Sequence, residues 1–252
     1  MSAPILLESK DGVVVLYLAS GANALDLSLL SALRQQLSDL RQQGSPALVL
    51  ASKHPRIFCP GLDLKQLDGA KRPVMAKIMR EFCALLRELA TYPGPTVAAL
   101  GGHAIAGGCL LAMACDRRVM ARAGTRLGLS EVNLGIPVPA GAVVMLLTLY
   151  PTRSVEQLVL EGDGYGGERA LELGLVERVV EGSEVVAETL RQAQQLASRP
   201  QRAFQVAKSY LRAPLAELMA RRDEEELETF LDCWYDPDTQ DRIATLIAEM
   251  SR

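Results

Sequence analysis

The sequence predicts an α/β fold that ends in an all-helical region. Apolar segments with strand and helix periodicity follow one another in the order strand, strand, helix, and this order repeats about four times. From about residue 186 the strand patterns stop, and only helical patterns follow. We therefore expect a core over residues 1–195 and a C-terminal helical region over residues 196–252.

The N-terminal part is predicted to be a hairpin followed by a helix. The apolar segments ILLES and VVVLYLA flank the turn sequence KDG at residues 10–12. The next segment is a helix that ends at Gly44. Its leucines recur at helical spacing, at Leu30, Leu33, Leu37 and Leu40.

The middle of the chain alternates strands and helices. Predicted strands are PALVLAS (46–52) and PTVAAL (95–100), with a helix over residues 74–92 between them. A helix that carries Leu110, Leu111 and Ala114 comes next, then a predicted hairpin over 117–130 and a helix over 140–150.

The C-terminal region carries two apolar helical stripes, and the pair Asp236–Pro237 begins the second helix. The stripes are Leu227, Phe230, Leu231 and Trp234, then Ile243, Leu246, Ile247 and Met250. Such stripes bury against the core or against a neighbouring subunit.

Composition excludes several classes of function. The net charge of −3 argues against a nucleic-acid-binding surface, which would carry clustered basic residues. No apolar run is long enough to span a membrane. Five cysteines without a CxxC motif indicate reduced thiols in a cytoplasmic protein. With only His54 and His103 available, we expect no metal site, and we interpret His103 as a core residue of an apolar strand.

The segment GDGYGG (162–167) formally matches GxGxxG, the dinucleotide-binding fingerprint. That fingerprint follows a strand and opens a helix, whereas this segment follows a helical pattern. We interpret it as a turn. GxSxG and GxxxxGK[ST] motifs are absent from the sequence, which disfavours α/β-hydrolase and P-loop functions.

Three other segments combine glycines, strand ends and one isolated acid. FCPGLDLK (58–65) and HAIAGGC (103–109) each place glycine after an apolar strand, and GLSEVNLGIP (128–137) isolates Glu131 among apolar residues. Backbone N–H groups at a strand end and a helix start lack partners. Two such groups that converge on one point form an oxyanion hole.

These segments resemble the crotonase, or enoyl-CoA hydratase/isomerase, superfamily. FCPGLDLK (58–65) and GGHAIAGGCLLAMACD (101–116) resemble its two oxyanion-hole segments, and GLSEVNLGIP (128–137) its catalytic-glutamate segment. NALD (23–26) resembles the entry of the first helix beside the coenzyme A groove, and ERALELGLVERVV (168–180) the segment before the helical region. The resemblance covers nearly the whole chain in the family's order.

The resemblance implies a spiral of ββα units that carries an acyl-CoA site. It also implies C-terminal helices that mediate trimerisation, so we expect a homotrimer or a homohexamer. It places the oxyanion donors on the backbone N–H groups of Leu62 and Gly107, with Glu131 as the catalytic acid–base residue. Coenzyme A enters as part of the substrate, and no further cofactor is implied. The implied substrate-binding residues are Ala24, Gly61, Asp63, Leu64, Lys65, Gly108 and Leu110.

The reaction follows from the number of carboxylates. Hydratases of this family use two glutamates, and Leu110 stands where the first would be, so only Glu131 matches. One base suffices to move a proton from C2 to C4 of a 3-enoyl-CoA, and the motifs resemble the Δ3,Δ2-enoyl-CoA isomerase branch. An apolar neighbour at position 110 should exclude water and raise the pKa of Glu131.

Alternatives remain open at this point. A second acid from EFCALLRE (81–88) would permit hydration, and decarboxylation, thioester hydrolysis or ring cleavage use the same oxyanion hole. A catalytically silent acyl-CoA-binding scaffold is an alternative of another class. Asp63 also fits a helix cap, Lys65 a solvated lysine in place of a coenzyme A phosphate contact, and Asp116 a structural hydrogen bond.

Overall fold

A computed structural model describes residues 3–250, and its elements follow the predicted order. The strands are β1 (Ile5–Lys10), β2 (Val13–Leu18), β3 (Ala47–Ser52), β4 (Ile57–Cys59), β5 (Thr96–Leu100), β6 (His103–Ile105), β7 (Arg117–Ala121), β8 (Leu127–Gly128), β9 (Gly164–Tyr165) and β10 (Arg178–Val180). The helices are α1 (Leu27–Gln42), α2 (Leu64–Leu67), α3 (Arg72–Ala90), α4 (Gly107–Ala114), α5 (Glu131–Leu134), α6 (Ala140–Leu149), α7 (Thr152–Leu160), α8 (Gly167–Glu172), α9 (Val185–Ala197), α10 (Gln201–Glu225), α11 (Leu227–Trp234) and α12 (Pro237–Glu249).

The strands form two sheets. The larger has the order β1-β2-β3-β5-β7-β10 and is parallel from β2 onward, and the smaller has the order β4-β6-β8-β9. Each successive strand pair, β3 with β4, β5 with β6 and β7 with β8, adds one strand to each sheet. This arrangement confirms the α/β fold and the spiral of ββα units.

The predicted N-terminal hairpin is confirmed. β1 and β2 are antiparallel, and Lys10 pairs with Val13 across a two-residue turn. Asp11 and Gly12 both have positive φ, at 49° and 79°, as the tight hairpin turn requires. α1 begins after Asp26, whose side chain accepts a hydrogen bond from Leu29 N, and the helix stops before Gly44 as expected.

The hairpin predicted over residues 117–130 is wrong. β7 lies in the larger sheet between β5 and β10, whereas β8 lies in the smaller sheet between β6 and β9. Residues 122–126 therefore connect the two sheets instead of reversing the chain within one. Two apolar segments around a glycine-containing turn look the same in both situations, so periodicity could not separate them.

Two smaller expectations are also corrected. GDGYGG follows helix α7 as expected, but it is more than a turn, because its central residues form β9 and pair antiparallel with β8. This pairing depends on Gly128, where a Cβ atom would overlap the backbone carbonyl of Asp163. His103 lies in strand β6 as expected, yet it is half-buried rather than part of the core.

The five cysteines are all free, and four of them are buried, while Cys233 is half-buried. Across residues 3–250, no helix has the length and hydropathy that a membrane span needs.

The C-terminal region carries helices α9 to α12 between Val185 and Glu249, and its first stripe is covered by this chain itself. Leu227, Phe230, Leu231 and Trp234 are all buried without a neighbouring subunit. Of the two predicted alternatives, the core of this chain covers the first stripe, and the trimer or hexamer stays a prediction. The division at residues 195 and 196 also stays a prediction, although contacts cross it, because α10 packs against α6 and α3.

One buried ion pair fixes α10 to the sheet. Lys208 donates to an oxygen of Asp116 at 2.6 Å and to the carbonyl oxygen of Gly94 at 2.9 Å. The same Asp116 oxygen accepts from the backbone N–H and the hydroxyl of Thr96. The expectation that Asp116 has a structural role is confirmed.

Replacing Lys208 with methionine should lower the free energy of unfolding by about 1.5–3 kcal/mol, because it removes the hydrogen-bonded cation of the largely buried Asp116 carboxylate and leaves only Arg212, 3.6 Å from the other oxygen. Lys53→Met is the matched control. It removes a lysine whose ion pair with Glu8 is exposed, and such pairs contribute about 0–1 kcal/mol. Urea unfolding of both variants measures the difference, and equal losses would contradict the role assigned to Lys208.

Candidate active site

The first loop of the site runs from the end of β4 to the start of α2. Leu25 pairs with it: the Leu25 N–H donates to the Gly61 carbonyl at 2.8 Å, and the Leu25 carbonyl accepts from Asp63 N at 3.0 Å. Both bonds involve the residues on either side of Leu62, so the Leu62 N–H points away from Leu25. Within residues 3–250 that N–H donates no hydrogen bond.

The second loop joins β6 to α4. Ala106 precedes the helix with φ of 51° and ψ of −124°, a strained conformation for a residue other than glycine. Its own N–H donates to the Gly128 carbonyl at 2.9 Å. Gly107 is the first residue of α4, where N–H groups lack helical partners, and its N–H also finds no acceptor in the described part of the chain.

The two loops touch each other. A Cβ atom added to Gly107 would lie 3.4 Å from Gly61 Cα, and one added to Gly61 would lie 2.9 Å from Ala106 Cβ and 3.2 Å from Gly107 N. Gly61 also has φ of 97°, a value that glycine adopts without strain. The free N–H groups of Leu62 and Gly107 are thus on adjacent segments of backbone.

Gly108 explains how the loops come so close. A Cβ atom at this position would overlap the carbonyl group of Cys59 at the end of β4. Only glycine lets α4 approach β4 at this distance. At Gly108 the backbone of α4 therefore packs directly against the backbone of β4.

A cavity of about 760 Å³ lies against both loops and α5. Seven of the predicted site residues line it, namely Ala24, Leu62, Asp63, Leu64, Lys65, Gly107 and Glu131. Gly61, Gly108 and Leu110 lie behind the lining and not in it. Their contact with substrate stays a prediction: both glycines make close backbone contacts, and the Leu110 side chain is fully buried in the core.

The acyl-tail pocket is expected along residues 66–92, but sequence reasoning singles out none of the apolar residues that line the cavity. Met79 and Phe82 of α3, Phe230 and Trp234 of α11, and Leu246 of α12 all face the cavity. In the sequence these residues belong to helical stripes that look like ordinary core. No signal in a single sequence separates a core residue from one that lines an apolar cavity.

Glu131 is the first residue of α5, and its carboxylate is buried with the oxygen Oε2 unpartnered. Burial raises its pKa to about 7, and the backbone N–H groups of Glu131 and Ser130 oppose the rise only partly. α12 holds this helix in place, since the Thr239 hydroxyl donates to the Gly135 carbonyl at 3.4 Å. Glu131 is thus poised to exchange a proton near neutral pH.

The other carboxylates of the lining have different roles. Asp26 and Asp63 are half-buried, and each caps a helix: Asp26 accepts from Leu29 N at 2.7 Å and Asp63 from Gln66 N at 3.2 Å. The acids of segment 81–88 do not line the cavity. Glu81 and Glu88 both pair with Arg34 instead. Glu131 is accordingly the buried carboxylate of this lining.

This geometry can stabilise negative charge on a carbonyl oxygen and move a proton beside it. Two free N–H groups on adjacent segments supply the hydrogen bonds, and the N terminus of α4 adds partial positive charge. Glu131 supplies one group that is both base and acid near pH 7.

Comparison with known proteins agrees with this geometry. The sequence model of the family described as enoyl-CoA hydratase/isomerase matches residues 8–243. The fold superposes on human mitochondrial Δ3-Δ2-enoyl-CoA isomerase with a TM-score of 0.91 over 98% of both chains, at 25% identity.

Curated relatives carry both hydratase and isomerase names. Bovine enoyl-CoA hydratase domain-containing protein 2 is 32% identical over 66% of this chain, and mouse methylglutaconyl-CoA hydratase is 31% identical over 75% of it. The matches span only 56% and 61% of those two relatives. Mouse enoyl-CoA delta isomerase 1 is 30% identical over 88% of this chain and 78% of its own length.

The buried carboxylate should make stability depend on pH. Because the folded-state pKa of Glu131 is raised to about 7, the wild type loses stability as the pH rises from about 4.5 to 7. Glu131→Gln removes this loss. The free energy of unfolding of Glu131→Gln, relative to that of the wild type, should therefore rise by up to about 3 kcal/mol as the pH increases over that range. One pKa unit corresponds to about 1.4 kcal/mol.

Denaturant unfolding between pH 4.5 and 8.5 measures this change. Glu81→Gln is the control, because it removes an ion-paired acid outside the cavity and should not gain stability with pH. A difference between Glu131→Gln and wild type that stays constant over this range would show that Glu131 does not have a raised pKa.

Proposed function

The chain belongs to the enoyl-CoA hydratase/isomerase family, and from that premise we propose that it shifts the double bond of a 3-enoyl-CoA to the 2-position. One observation carries the proposal. The cavity contains a single buried carboxylate, Glu131, and the position that would bear a second glutamate holds Leu110 in the core.

The first step is proton removal at C2. The thioester carbonyl oxygen accepts hydrogen bonds from the N–H groups of Leu62 and Gly107, which makes the C2 proton more acidic. The ionised Glu131 carboxylate takes that proton, and the C–H electron pair forms a dienolate whose charge rests on the carbonyl oxygen.

The second step returns the proton at C4. The Glu131 carboxyl group, now protonated, donates to C4 as the carbonyl re-forms and the double bond moves between C2 and C3. The same group must accept and release a proton within one turnover, and a pKa near 7 suits both halves. Burial raises this pKa and also keeps water from the dienolate.

Hydration of a 2-enoyl-CoA is the second candidate, because two of the curated relatives are named as hydratases. Adding water needs one group to deprotonate it and one to protonate C2. In this lining only half-buried helix caps, Asp26 and Asp63, accompany Glu131. That arrangement favours isomerisation.

Purified protein should convert 3-enoyl-CoA to 2-enoyl-CoA and form little 3-hydroxyacyl-CoA from either substrate. Glu131→Gln should lower kcat by at least about 100-fold, the lower end of the range for general acid–base catalysis. Glu81→Gln, the same substitution outside the cavity, should retain activity.

Chromatography of the acyl-CoA products measures both reactions. Hydration of 2-enoyl-CoA at a rate equal to isomerisation would favour the hydratase, and near-normal turnover by a folded Glu131→Gln variant would contradict the role of Glu131. Binding of acyl-CoA with no turnover of either substrate would instead indicate a silent scaffold.

A further inference from the structure

The substrate cavity shares one wall with a second cleft. A cleft of about 290 Å³ lies between α3, α10 and α11, and three residues line both spaces, Met79, Pro139 and Phe230. All three are buried. The wall between the two spaces is therefore one side chain thick at these residues, and we name it the partition.

The partition stands close to the oxyanion site. A Cβ atom added to Gly107 would lie 3.1 Å from the ring carbon Cζ of Phe82, so Phe82 lies against the start of α4. Met79 precedes Phe82 by three residues on α3, which places it on the same face about 4.5 Å along the helix axis. The polar mouth, with Ser20, Asp26 and Lys65, belongs to other elements of the lining.

The far side of the partition carries two ion pairs beside apolar side chains such as Ala84 and Leu227. Arg87 pairs with Asp223 at 2.8 Å, and Arg80 pairs with Glu224 at 2.7 Å, and all four residues line the second cleft. On the near side the lining is apolar, with Phe82, Ile136 and Trp234. An alkyl chain that passed the partition would leave an apolar surface and remove water from ion pairs, which is unfavourable.

We propose that Met79 and Phe230 set the longest acyl chain that this enzyme accepts. The inference rests on the proposed function in that the ligand is an acyl-CoA. Chains that end before the partition gain affinity with each methylene. Longer chains meet Met79 and Phe230 and gain none.

Binding of straight saturated acyl-CoAs tests the proposal apart from catalysis, because these ligands have no double bond to move. Titration calorimetry gives the affinity for each chain length. The fluorescence of Trp234, the one tryptophan of the chain, reports that the ligand occupies the cavity that this residue lines. In the wild type, affinity should rise about fourfold per methylene and then stop rising at a defined length.

Met79→Ala should move that length upward by two or three methylenes, because it removes three heavy atoms from the partition. Met75→Ala is the matched control. Met75 lies one turn earlier on α3 and is fully buried, but it does not line the cavity. The acyl-chain length at which affinity stops rising should therefore be the same in Met75→Ala as in the wild type. Phe230→Leu opens the partition from α11 and provides a second variant should Met79→Ala fail to fold.

An unchanged limit in Met79→Ala and Phe230→Leu, or an equal change in Met75→Ala, would overturn the proposal. Failure of every acyl-CoA to bind would overturn both this proposal and the proposed function. Binding with the expected shift but without isomerisation would contradict only the proposed function, and the partition would stand.

Discussion

The close approach of the N terminus of α4 to the end of β4 is the contact on which the site depends. Gly108 permits it, because any side chain there would overlap the Cys59 carbonyl. Gly107, one residue earlier, continues the contact against Gly61, two residues after Cys59. The approach brings together two loops from different turns of the spiral. It leaves the N–H groups of Leu62 and Gly107 without partners on adjacent backbone, and the strain at Ala106 is local to this contact.

The second requirement is a dry environment for Glu131, and distant parts of the chain supply it. α11 and α12 cover the cavity with Phe230, Trp234 and Leu246, and α12 also holds α5 through Thr239 and Gly135. The C-terminal helices are thus part of the site within one chain. An ionised carboxylate is unfavourable in such a place, and the pKa of Glu131 rises for that reason. Burial of the Glu131 carboxylate thus both lowers the stability of the folded protein and gives the residue a pKa suited to proton transfer.

Much of this could be predicted from sequence, for identifiable reasons. Glycines at strand ends and an acid isolated among apolar residues are locally unfavourable choices, so Gly107 and Glu131 stood out. The element order was also readable, because β2, β3 and β5 are continuous apolar runs. Strands of two or three residues such as β8 and β9 carry no periodicity, and the hairpin predicted over 117–130 failed there. Residues 66–92 were expected along the acyl-tail pocket, but neither Met79 in that stretch nor Phe230 could be singled out, because one helical stripe serves core and cavity alike.

The pH dependence of kcat/KM for isomerisation tests the central claim most directly, because it reports ionisation of the free enzyme's base. If a buried Glu131 with a pKa near 7 is that base, the wild-type kcat/KM should fall about tenfold per pH unit below pH 7 and level off above it. A kcat/KM that stays flat from pH 5 to 8 would mean that the base has an ordinary carboxylate pKa. A buried Glu131 with a raised pKa would then not be the base.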